Sequence, residues 1–233
     1  MPAGAPHRRL ARAVVAASIA VGLLRGTSAF DQAGGYPELL PVDEAGRRPD
    51  FFTFRAHLQR AIARRDWPAV LAVVHPKIRN SFGPDDGLAT FRETWKAESA
   101  DSALWETLGA VLALGGSFDQ AGSFMAPYVY SRWPGTFDGF EHVAVIGSRV
   151  RVRAAPRADA EVLAALSYAI LRRQTGADSQ IAPAVADDWT AVALAGGRTG
   201  FIASQYVRSP IDYRAIFAEE GGRWRLMALV AGD

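Results

Sequence analysis

The side chains best suited to covalent chemistry fall in one short stretch: His75, Ser81, Asp85 and Asp86. A histidine base, a hydroxyl nucleophile and a carboxylate are the types used in nucleophilic hydrolysis, provided the base lies within hydrogen-bond reach of the hydroxyl. Spacing along the chain does not supply that geometry, and Asp85-Asp86-Gly87 is an ordinary turn that caps the next helix. The turn reading is preferred. Other chemistries are excluded more firmly. There is no cysteine, and beyond His7 the histidines are His57, His75 and His142, none at metal-ligand spacing from another. No P-loop, G-x-S-x-G or dinucleotide fingerprint occurs, the glycines fall in turns, and no cofactor or metal is implied.

The second half of the chain offers aromatics instead of a catalytic set, and they sit on a strand pattern. Val150 and Val152 alternate with Arg149, Arg151 and Arg153, as on a half-buried strand. This predicts valines inward and arginines on a solvated outer face, offset by Asp159, Glu161, Asp187 and Asp188. Pro156, which has no N–H, ends the strand. A second strand follows over 161–166, Trp189 opens a third with Val192 and Leu194, and Gly196-Gly197 supplies a hairpin turn. Gly200-Phe201 and Tyr206-Val207 close the set, and residues 174–187 form a long loop rich in Ala, Pro and Asp.

These residues together resemble a bacterial SH3-like (SH3b) barrel. Val150-Arg151-Val152-Arg153 with Pro156 matches the family's opening "L-N-V-R-x-x-P", Gly200-Phe201 its "G-W" with Phe for Trp, and Tyr206-Val207 its "Y-L" ending. The resemblance covers about a quarter of the chain. It implies a small β-barrel that binds and does not catalyse, with an aromatic groove for peptide or glycan-peptide ligands. The candidate groove residues are Tyr168, Trp189, Phe201 and Tyr206, although for any single one core packing is the commoner fate. Tyr128, Tyr130, Trp133, Phe137 and Phe140 crowd the segment before it and read as an interdomain seam.

The start of the chain reads as an export signal. Arg8, Arg9 and Arg12 form a basic region, residues 13–24 an apolar run too short to span a bilayer, and Thr27-Ser28-Ala29 a cleavage site. Removing residues 1–29 changes the charge argument. The full chain carries 26 basic and 24 acidic residues; without Arg8, Arg9, Arg12 and Arg25 it has 22 basic against 24 acidic, a net of −2. That is not the charge of a nucleic-acid binder. A cysteine-free exported chain has no disulfides and depends on its core.

Residues 30–50 read as a linker or surface arm. From Asp50 to Gly116 the pattern is helical: a helix capped by Asp50 and running to Arg65, a second begun by Asp66-Trp67-Pro68 and stopped at Pro76, a third through Leu88, Phe91 and Trp95, and a fourth through Leu104 to Leu112 ended by Gly115-Gly116. The segment from Leu58 to Trp95 is similar to helical domains that precede SH3b barrels in secreted bacterial proteins, and its helical start is faintly similar to nuclear-transport-factor-like folds. Glu141-His142 reads as a linker, and Glu219-Glu220-Gly221-Gly222 marks a C-terminal hairpin.

The expectation is therefore an α+β chain: signal peptide 1–29, arm 30–50, mainly helical module 51–127, aromatic segment 128–140, SH3-like barrel 141–210 and β-hairpin 211–233. The implied function is that of a periplasmic or secreted, non-enzymatic binding or scaffolding protein engaging cell-wall peptide or an envelope protein, with no nucleic acid and no membrane span in the mature chain. The alternatives are an envelope hydrolase or hydrolase accessory with a site near His75, and a barrel that only braces the fold.

Overall fold

The computed structural model describes residues 35–96, 98–174 and 188–232. The signal-peptide reading of 1–29 and all but the first residue of the 174–187 loop lie outside the described residues. Within them the chain is α+β, with three small sheets and no closed barrel.

Helix α1 (Pro49–Ala63) begins at Pro49, where a missing N–H is tolerated. Arg48 is consequently the N-cap and Asp50, expected there, lies inside the first turn. In α2 (Trp67–Val73) the Asp66 carboxylate accepts the Ala69 N–H at 3.1 Å, a side-chain cap. Pro76 does not stop this helix: the chain leaves it at Val73, and Pro76 lies within strand β1 (Val74–Arg79). That strand is at a sheet edge, the position where a missing donor does least harm. Helices α3 (Leu88–Trp95) and α4 (Ala103–Ala113) follow, then β2 (Ser117–Phe118), β3 (Phe124–Ala126) and the short α5 (Tyr128–Ser131).

The region expected to be mainly helical carries four helices and also supplies three strands of a sheet. β11 (Arg214–Glu220) and β12 (Arg223–Val230) return from the C-terminus to complete a five-stranded sheet ordered β1-β12-β11-β3-β2, in which β12 runs parallel to β1 and antiparallel to β11. A lone hairpin is marginal in water, and this one carries Phe217, Trp224 and Leu226, which need cover. Phe51 of α1 provides it, with no exposed surface and ring centroids 4.4 Å from Phe124, 4.7 Å from Trp224 and 5.8 Å from Phe217.

The residues between β3 and β11 make two further sheets. One is β10-β4-β7, from β4 (His142–Val145), β7 (Ile170–Arg172) and β10 (Val207–Arg208); the other is β6-β5-β9-β8, from β5 (Val150–Arg153), β6 (Val162–Leu166), β8 (Trp189–Ala193) and β9 (Thr199–Ala203). His142, read as linker, opens the central strand of the first, because Val143 and Val145 both go into the core. Val145, Val150, Val152, Leu171, Val192 and Ile202 form the interior shared by the two sheets.

Residues 36–44 lace the inserted sheets to the helix-covered one. Leu39 N–H donates to the Tyr168 carbonyl at 2.8 Å, Ile170 N–H to the Pro37 carbonyl at 2.7 Å, and Ala195 N–H to the Tyr36 hydroxyl at 2.7 Å. At the other end Glu44 N–H reaches the Gly116 carbonyl at 2.8 Å, and Asp43 holds buried Arg55 by two 2.7 Å hydrogen bonds. Leu39, Tyr128, Val129, Ala144 and Ile170 pack together at this junction.

Candidate functional site

A cavity of about 690 Å³ opens on the β6-β5-β9-β8 sheet. Its walls come from the turn into β5 (Arg149), from β5 itself (Arg151, Arg153), from the start of β8 (Asp188, Trp189) and from the turn after β9 (Tyr206).

Local structure fixes each wall. In β5 the register puts Val150 and Val152 in the core and exposes Arg151. That inward packing requires a glycine on the neighbouring strand, since a Cβ at Gly200 would collide with the side chains of Val152 and Leu194. Trp189 lies opposite Ala203, and the Ser204 N–H donates to the Asp188 carbonyl at 2.7 Å, which ties the mouth of β8 to the turn carrying Tyr206. Thr190 Oγ1 and Ser204 Oγ meet at 3.0 Å beside it. Arg149 has a left-handed backbone, φ 54°, a conformation that costs a non-glycine residue roughly 1 kcal/mol. Its N–H donates to Ser167 Oγ at 2.8 Å, so the strained turn is held from the end of the neighbouring strand β6.

The electrostatics of the cleft are one-sided. Arg149, Arg151 and Arg153 face one acid, Asp188, among the described lining residues. Arg153 donates through Nη1 to the Ala160 carbonyl at 2.7 Å. Arg149 and Arg151 have no ion pair with any described residue, whereas Arg48, Arg55, Arg92, Arg157 and Arg172 each have a carboxylate. Arg149 and Arg151 are exposed on the outer face, as alternation predicts, and that face is a wall of the cleft. The twist and the turn after β9 bring Tyr206 over what alternation alone leaves as open surface.

The four candidate aromatics do not converge. Trp189, half-buried, and Tyr206, 45% exposed, both line the cleft. Phe201 is only 5% exposed, on the opposite face of β9 from Ile202, and is not part of the cavity wall. Tyr168 lies outside the cleft as well: it has a left-handed φ of 52°, and its carbonyl accepts the Leu39 N–H.

The residues near His75 also fail to assemble. His75 Nε2 lies 3.0 Å from Glu220 Oε2 on the neighbouring hairpin, and its Nδ1 accepts the Lys77 N–H at 3.0 Å. Ser81 Oγ instead accepts the Gly83 N–H at 2.9 Å, and Asp86 accepts the Asn80 N–H at 3.2 Å. These are the bonds of a turn. Sequence reasoning found Trp189 and Tyr206 but placed the arginines outside the site. The positive φ of Arg149 leaves no mark in residue type, and the turn after β9 carries no glycine to announce it.

No family model, curated protein or solved structure matches this chain. Among the described residues no group of His, Asp or Glu is arranged to hold a metal ion, and no helix is long and apolar enough to cross a membrane.

Proposed function

We propose that this chain is an exported, non-enzymatic binding or scaffolding protein of a bacterial envelope, and that its inserted sheets act as an SH3-like element whose cleft takes cell-wall peptide or an envelope partner. One observation carries the reading: a cavity of about 690 Å³ that joins Trp189 and Tyr206 to a row of arginines, within the usual size range of ligand sites. Aromatic rings with polar tips, beside hydrogen-bonding groups and held by paired strands, suit peptide recognition. Support for export comes from the basic, apolar and small-residue succession at the start of the sequence. The hydrolase alternative has less support, because His75 is engaged with Glu220 and Ser81 with its own turn.

The test is retention of the chain lacking residues 1–29 on purified peptidoglycan. Trp189→Ala and Tyr206→Ala, each with an unchanged circular dichroism spectrum, should weaken retention by at least tenfold, since an anchoring aromatic commonly contributes about 2 kcal/mol. His75→Ala should leave retention unchanged. Folded aromatic variants that bind as the parent does, or hydrolysis abolished by His75→Ala, would contradict the proposal.

A further inference from the structure

We infer that the cleft selects an extended peptide carrying carboxylates at alternate residues; the inference rests on the cleft being a binding site. Arg151 and Arg153 stand two residues apart on β5, Arg149 sits in the left-handed turn that leads into it, and all three line the cleft. A strand rises about 3.3 Å per residue, so the side chains of Arg151 and Arg153 start roughly 6.6 Å apart. An extended peptide laid along β5 repeats its side chains with the same spacing on the same side, so acids at alternate positions meet Arg151 and Arg153 in register, with Arg149 at the end of the row. Each guanidinium is a planar fork of donors that matches one carboxylate.

The engagement of the three arginines divides their roles. Arg153 is anchored to the Ala160 carbonyl, which leaves its remaining donors oriented. Arg149 and Arg151, unpaired among the described residues, are the selecting pair, and the left-handed turn and Ser167 bond fix where Arg149 begins. Trp189 and Tyr206 at the other wall receive the apolar portion of the same peptide. A nucleic-acid strand is the competing polyanion, but it draws on a broad basic surface, and this chain of 233 residues has a net charge of only +2.

The experiment is a titration of the chain lacking residues 1–29, followed by Trp fluorescence, with three capped peptides: Ala-Glu-Ala-Glu-Ala, its glutamine counterpart Ala-Gln-Ala-Gln-Ala, and Ala-Glu-Glu-Ala-Ala. The alternating acidic peptide should bind roughly tenfold or more tightly than the glutamine peptide, the adjacent-acid peptide should fall between, and Arg151→Gln should abolish the preference. Equal binding of the first two, or a preference that survives in both Arg149→Gln and Arg151→Gln, overturns the inference. An oligothymidylate that binds as tightly as the alternating peptide and is lost in the same variants also overturns it, in favour of a general anion cleft. Peptidoglycan retention that depends on Trp189 but not on Arg151 overturns the acidic selectivity alone; loss of any Trp189-dependent binding overturns the binding reading beneath it.

Discussion

The helix-covered sheet and the arginine wall of the cleft engage their cations differently, although elsewhere in the inserted region Arg157, Arg172 and Arg208 are paired with Asp159, Glu141 and Asp212. Around the first, Arg55 is held by Asp43, Arg48 lies 2.7 Å from Asp50 and 2.8 Å from Glu219, and His75 meets Glu220, while Arg214 and Arg225 donate to backbone carbonyls. Trp224 Nε1 adds a 2.9 Å bond to Asp50, with Arg48 stacked on the same indole. In the second, the arginines of β5 stand beside two accessible aromatics and a single acid. Charges that pair with each other serve the fold, whereas charges of one sign gathered on a concave wall are available to a ligand. The contrast separates residues expected to control stability from residues expected to control binding.

Neighbouring positions on β5 break that comparison most severely if it is wrong. Val152 has no exposed surface, so Val152→Asp buries an unpartnered charge and should cost about 3 kcal/mol or more in urea unfolding. Arg151→Asp, one residue away and exposed, should stay within about 0.5 kcal/mol of the parent while removing any preference for acidic peptides. Equal destabilisation by the two would show that the strand faces are misassigned. Phe51→Ala should cost a similar amount, about 3 kcal/mol, because the aromatic cluster closes around that ring and cannot collapse to fill the gap.

How much of this was legible in the sequence follows from the range of each interaction. Asp66 capping α2, the alternation of β5 and the Gly221-Gly222 hairpin are local, and the sequence states them directly. The pairing of β1 with β12 joins segments far apart in the chain, Val74 opposite Leu226, and nothing in either segment names the other. For that reason the four helices of the region from 51 to 127 are legible, whereas its three strands β1, β2 and β3, which complete a sheet with β11 and β12, are not. The cleft was half legible for the same reason. Trp189 and Tyr206 stand out by type, but the arginines become cleft residues only once β9 and its following turn fold against β5.

Smaller effects sharpen the comparison. Burial pushes the Asp43 carboxyl up, but the Arg55 hydrogen bonds, the Ala45 N–H and the Arg55 charge outweigh it, leaving Asp43 below its ordinary 3.8. Its contribution is complete above that value and is lost as pH falls through the lower folded value. Asp43→Asn should therefore destabilise at neutral pH by about 1–2 kcal/mol, less than a fully buried pair because Asp43 is half exposed, and should flatten the stability profile below pH 3.8. Glu219→Gln, at an exposed pair, should leave the unfolding midpoint unchanged.

The most direct test of the cleft uses the indole N–H resonances of the six tryptophans. Solubilised peptidoglycan fragments titrated into the chain lacking residues 1–29 should shift Trp189 in a saturable manner. Trp67, Trp95, Trp105 and Trp224, all buried in the helix-covered core, should stay fixed. A Trp189 resonance that does not move while a core indole does would contradict the account, as would the absence of any shift.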